Sequence, residues 1–248
     1  MFKDLQTYQA SGLFSMSHIV AFAICFAIIA ICVYLSLEIT KKEIKTIYIF
    51  FAVCMLLMIL IDYIWNIARG YTQIENLIPI SIITLFIIAL CLSLCKKEKL
   101  AYISKVFLTY VGIGFGAVML VLTFPSFTNY PVFHFKCLFE LCCYSAMLYT
   151  GIMMLVLKEV KICAKTFKIA LFIIADVLVD CLILNMIFNV NFLNLMSPEG
   201  LGLNFLTNLH MFNGGIYSIL AFAFYFSPIV LAYITCKTIY FVMNKYNK

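Results

Sequence analysis

Charge is scarce in this chain. Asp, Glu, Lys and Arg make up 11% of its 248 residues, where a soluble domain carries about a quarter. Hydrophobic residues make up 65%, which excludes a soluble globular fold. No polar stretch is long enough for a separate soluble domain, and no repeat or low-complexity run stands out. Residues 1–248 therefore read as a single polytopic transmembrane domain. Residues 1–17 hold no hydrophobic signal core, and the first apolar segment is too long for one. Metal-type Cys/His spacing is missing, so no metal and no cofactor is expected. Dense basic clusters are missing too. The lysines spread along segment ends, which argues against a nucleic-acid partner.

What is present is apolar length. Seven stretches can span a bilayer: about 18–37, 46–66, 77–95, 101–123, 135–157, 169–190 and 215–236. A spanning helix needs about 20 mainly apolar residues. The expected fold class is all-α, with seven transmembrane helices. Fourteen of the 17 Lys and Arg residues lie at one set of segment ends, and only Lys3, Arg69 and Lys136 lie at the other. The excess of positive charge marks the cytoplasmic side. It puts the N-terminus outside and the C-terminus in the cytoplasm of a multi-pass cell-membrane protein. An odd number of spans agrees with that.

Eleven cysteines would suit a disulfide framework, but their positions argue otherwise. Cys25, Cys32, Cys54, Cys91, Cys142, Cys143 and Cys181 fall inside spans. They read as free thiols acting as small hydrophobes.

The cytoplasmic connections are short and basic. Lys158, Lys161, Lys165 and Lys168 would form one stripe if that connection were helical, resting on anionic headgroups. The outer connections carry Pro, Asn and aromatics. In the last, Leu203, Leu206, Leu209 and Met211 suit a short amphipathic helix on the outer leaflet.

Ionisable groups cost about 2.5–3.5 kcal/mol each at the bilayer centre, so each intramembrane one is a functional candidate. Asp62, Asn66 and Arg69 share a helix face at the outer end of segment two, where Asp62 and Arg69 could attract one another. His134, Lys136 and Glu140 open segment five. Asp176 and Asp180 share a face in the middle of segment six, with Asn185 and Asn189 nearer the outside. His18 and Ser81 open segments one and three, with Pro79 an ordinary helix-entry signal. Asp62, Arg69, Ser81, Glu140, Asp180, Asn185 and Asn189 are the candidate binding residues. Most candidates fall in the outer half, so any polar pocket is expected there. The cytoplasmic half offers mainly lysine at its rim.

FSMSHI at the start of segment one, LIPI at the start of segment three and NFLNLMSPE after segment six resemble the YwaF-like bacterial integral membrane family. The late GGIY is similar to that family's entry to its last span. The resemblance follows order and spacing over nearly the whole chain. Animal relatives of that family include an acyltransferase that remodels ether phospholipids through a cysteine and a histidine. By that resemblance His18 matches the family histidine of span one, and Pro79 matches the span-three proline. Ile83 stands where the family shows its cysteine, and Cys142–Cys143 stand about where it shows a second histidine. An acyl-enzyme route needs a thiolate and a nearby base. The candidates left are Cys142 or Cys143 with His18 or His134.

Two other readings stand beside lipid or amphiphile handling. One is a small transporter, or its substrate-binding subunit, that uses the intramembrane carboxylates. The other is a non-catalytic member of a membrane complex. Membrane lipids are the expected partners in the first case, and a membrane protein or a second copy of the chain in the last.

Overall fold

The computed structural model describes residues 12, 14–71, 73–74, 78, 80–122, 126–198 and 204–246. Among these all regular structure is helical. The helices are α1 (Met16–Leu35), α2 (Lys41–Ala68), α3 (Ile82–Ser93), α4 (Glu98–Leu122), α5 (Phe135–Val156), α6 (Ala164–Phe188), α7 (Asn204–Phe212) and α8 (Gly214–Tyr246). Six of them, α1, α2, α4, α5, α6 and α8, are long and apolar enough to cross a membrane. The chain is a multi-pass membrane protein.

The remaining predicted span, 77–95, is different. Its helix α3 has 12 residues, about 18 Å at 1.5 Å per residue, against a hydrocarbon core of about 30 Å. Leu77 and Pro79 lie outside the described residues.

Polar caps set the helix boundaries and carry several beyond the apolar runs. Thr40 accepts from the Glu43 N–H, and the Glu43 carboxylate accepts the Thr40 N–H at 2.8 Å. This capping box starts α2 five residues before its apolar stretch. Ser81 caps α3 through the Thr84 N–H, and His134 caps α5 through the Lys136 N–H. Asn189 ends α6 in the left-handed conformation, which Asn tolerates better than most residues.

The centre of the bundle is α4 packed on α5, and small residues set the approach. A Cβ on Gly112 would stand 2.5 Å from the Met147 carbonyl oxygen, and one on Gly116 would stand 2.7 Å from the Leu148 nitrogen. Gly114 points the other way, where a Cβ would stand 2.6 Å from the Pro228 carbonyl carbon of α8. One helix thus meets two backbones through three alternate glycines. Pro228 has no N–H for the preceding turn, and the Ser227 hydroxyl donates to the Phe224 carbonyl at 2.9 Å in its place. Ala23 and Ala27, spaced like a helix contact, are exposed.

Side-chain pairs give the helix directions. Ser36 meets Tyr149, and Phe51 of α2 meets the same Tyr149 ring, while Asp62 meets Lys136. Helix α2 therefore runs antiparallel to α5. Lys105 of α4 meets Glu159, so α4 is antiparallel to α5 as well. One end of the bundle carries Asn66, His134 and the connection after α6. The other carries Lys105, Glu159 and the basic turns. The outward positions of α1, α2 and α6 are Ile, Leu, Val and Phe, such as Ile24, Ile28, Leu57, Leu60 and Phe172.

The lysine stripe does not form. Helix α5 stops at Val156, Lys158 adopts a positive φ of 55°, and a new helix starts at Ala164. The four lysines are split between a turn and a separate helix. The amphipathic helix in the last connection does form, as α7, with Leu206 and Leu209 half-buried. Met211 and Phe212 are 78% and 83% exposed; Leu203 lies outside the described residues.

Candidate functional site

The amide-rich end gathers polar side chains from α2, α5 and the connection before α5. Asp62, Trp65 and Asn66 share a face near the end of α2, because three and four residues make about one helical turn. Opposite them, Lys136 stands on the first turn of α5. Its Nζ forms an ion pair with Asp62 and donates to Asn66 Oδ1 at 3.1 Å. Asn66 Nδ2 donates in turn to the second Asp62 oxygen at 3.3 Å. The three groups close a ring of contacts in which one ammonium neutralises one carboxylate.

Aromatic rings wall this ring of contacts. Lys136 Nζ lies 4.8 Å from the Trp65 ring centroid, and the Arg69 guanidinium lies 6.0 Å from it. Both are within cation–π range. His134 stacks on Tyr130 at 4.0 Å, and Trp65 meets His134 edge-on at 6.0 Å. Asp62 therefore does not pair with Arg69 on its own helix. It uses Lys136 across the helix gap, since seven residues along a helix is about 10 Å of rise.

Glu140, one turn deeper, faces the same region. It accepts from the backbone and hydroxyl of Ser126. Its Oε2 is shielded from solvent and has no hydrogen-bond partner among the described residues. The site thus presents one satisfied ion pair, one carboxylate oxygen free to accept, a second cation beside an indole, and flat aromatic walls. It suits a ligand with both a charged head and an apolar body.

The other sequence candidates stand elsewhere. His18 is buried at the start of α1, where Nδ1 accepts the Phe14 N–H at 2.9 Å and the ring meets Phe22 edge-on. Ser81 serves as the cap of α3. Asn185 is fully buried and brackets the Phe192 backbone. Its Oδ1 accepts the Phe192 N–H at 2.7 Å, and its Nδ2 donates to the Phe192 carbonyl at 3.1 Å. With Tyr217 and Tyr225 donating to the carbonyls of Asn194 and Leu193, it pins the connection after α6. Asn189 is the α6 cap. Asp176 and Asp180 are exposed on the outward face of α6, away from the ring around Lys136.

Ile83 and Cys143 are buried and Cys142 is exposed. Cys142 lies eight residues along α5 from His134, about 12 Å of helical rise, outside the reach of a hydrogen bond. Among the described residues no group of three His, Cys, Asp or Glu could hold a metal ion. Tyr130, Ser126 and the partnership of Lys136 with Asn66 were missed in the sequence. The Asp62–Asn66 spacing carried part of the signal, but the partner on α5 did not show in any pattern.

The model of the TMEM164 family matches residues 13–239. No curated protein and no solved structure matches the chain. The match covers most of the chain, which therefore belongs to the TMEM164 family of membrane proteins. Neither a YwaF-like relation nor ether-lipid acyl transfer rests on that match.

Proposed function

We propose that this TMEM164 family member handles a lipid or amphiphile in the polar site between the ends of α2 and α5. We further propose that this end faces outward and the lysine-rich end faces the cytoplasm, as the positive-inside rule expects. The N-terminus is then outside, and residues 69–97, including α3, make the seventh crossing. The observation that carries the reading is the Asp62–Asn66–Lys136 ring with Trp65, Tyr130 and His134 around it. A headgroup would exchange contacts with Lys136 and Arg69 while its tails run along the apolar helix faces. The relation to the YwaF-like family and its acyltransferase relatives belongs to this proposal. On it, Ile83 in place of the family cysteine and Cys142–Cys143 in place of a histidine describe a relative without the usual catalytic pair.

Photo-crosslinking in nanodiscs tests the reading, with a phospholipid carrying its reactive group near the headgroup. Crosslinks should concentrate on α2 residues 62–69 and α5 residues 134–140, and fall in Lys136→Met. Crosslinks spread evenly over the outward faces, and unchanged in that variant, would overturn it. Labelled phospholipid and lysophospholipid then ask whether chemistry persists: acyl label trapped on Cys142 or Cys143 would show a transferase. The transporter reading draws on Glu140, whose Oε2 lacks a hydrogen-bond partner. Cation-dependent uptake lost in Glu140→Gln would favour it.

A further inference from the structure

A second polar cluster lies at the lysine-rich end, where the sequence suggested only a basic rim. Glu159, in the turn after α5, is ion-paired with Lys105 of α4 at 2.7 Å, and its side chain is 8% exposed. Tyr48 of α2 is 2% exposed. Its hydroxyl has no hydrogen-bond partner among the described residues, although Glu159 and Tyr149 are both close enough to act on it electrostatically. On the far side of Tyr48, Tyr149 and Ser36 share a hydrogen bond of 2.7 Å.

The proton count in this cluster is informative. The one Ser36 hydroxyl proton goes to the Cys32 carbonyl at 2.7 Å. Tyr149 must then donate to Ser36, which leaves the Tyr149 oxygen as an acceptor. Glu159 Oε2 is likewise an acceptor without a hydrogen-bond donor. Tyr48 is left with a donor proton and nothing to receive it. Buried hydroxyls are rarely left so, and a buried water with about three protein bonds is the usual partner.

We propose that one resident water molecule occupies this site. It accepts from the Tyr48 hydroxyl and donates to Glu159 and to the Tyr149 oxygen. The bridge runs from Lys105 through Glu159, water, Tyr48 and Tyr149 to Ser36. It ties α1, α2, α4, α5 and the turn after α5 at one end of the bundle. It does not depend on the lipid-handling reading.

The sign of one substitution decides. Tyr48→Phe keeps the ring and removes the hydroxyl. If that hydroxyl bonds to water, the variant loses a net hydrogen bond, and the unfolding midpoint falls by roughly 2–4 °C for a chain of this size. If the hydroxyl is bare, removing it relieves a desolvation penalty, and the midpoint holds or rises; that result overturns the proposal. An experimental map of the wild-type protein at high resolution gives the second readout, independent of any variant. Density for a single water within hydrogen-bond distance of the Tyr48, Glu159 and Tyr149 oxygens is expected. Direct Tyr48–Glu159 contact, or no density between them, refutes it.

Discussion

Removing Lys136 alone should cost nearly as much stability as removing Lys136 and Asp62 together. Lys136→Met keeps the length and apolar stem of the side chain and deletes its charge. It leaves Asp62 facing the indole of Trp65 with only the Asn66 amide as donor. Breaking a fully buried pair costs about 3–5 kcal/mol, while an exposed pair is worth about 0–1 kcal/mol. The Lys136 and Asp62 side chains are 19% and 23% exposed, so the single loss should be about 2 kcal/mol. Asp62→Asn strands the ammonium in the same way, with Asn66 Oδ1 and the Trp65 ring as remaining partners. In the double variant no uncompensated charge remains. The two losses should then fall short of additivity by roughly 1–2 kcal/mol, within the range for residues in contact. Unfolding midpoints of the four proteins in one detergent close the cycle, at about 2–4 °C per kcal/mol. Additive losses would refute the pairing. So would an Arg69→Met variant that couples to Asp62 as strongly as Lys136→Met does.

Gly114→Ala should destabilise the bundle by about 1–3 kcal/mol as overpacking, because its Cβ would stand 2.6 Å from backbone carbonyl carbon of Pro228; a midpoint equal to wild type would show that α4 and α8 are not in contact there. Asn185→Leu strips both partners from the buried Phe192 amide and carbonyl, at about 1–3 kcal/mol for each group left unsatisfied, and limited proteolysis should cut residues 190–198 faster; unchanged cleavage would argue against the bracket. Cys163 accepts from Thr166 at the start of α6, with Lys161 nearby, and these contacts hold its thiol below the ordinary cysteine value. The depressed value raises the thiolate fraction at neutral pH, so the pH–rate profile for maleimide should lie to the acid side of a free cysteine and shift back in Thr166→Val. A membrane-impermeant maleimide should reach Cys163 only from the cytoplasmic face; labelling of intact cells would reverse the proposed orientation.

The sequence carried the fold where one dimension suffices. Six long apolar helices follow from hydropathy alone, because lipid leaves backbone groups no partner outside the helix. Helix ends were less legible, since a cap such as Thr40 with Glu43 adds polar turns that hydropathy discards. The convergence of Asp62, His134 and Glu140 followed from helix order and charge alternation, which need no packing detail. The partner of Asp62 did not follow, because Arg69 on the same helix and Lys136 on another are equally near in a diagram of spans. The three alternate glycines were readable in principle: Gly112 and Gly116 are one turn apart, and Gly114 lies about 200° from either, so two packing faces are written there. The cluster at the lysine-rich end was invisible for a different reason. Tyr48, Lys105 and Glu159 each look like an ordinary interfacial residue, and only the fold reveals that α4 and the turn after α5 close over Tyr48. Charge alternation thus located one polar site and hid the other, because it counts lysines at the rim without registering which of them, like Lys105, is paired inward.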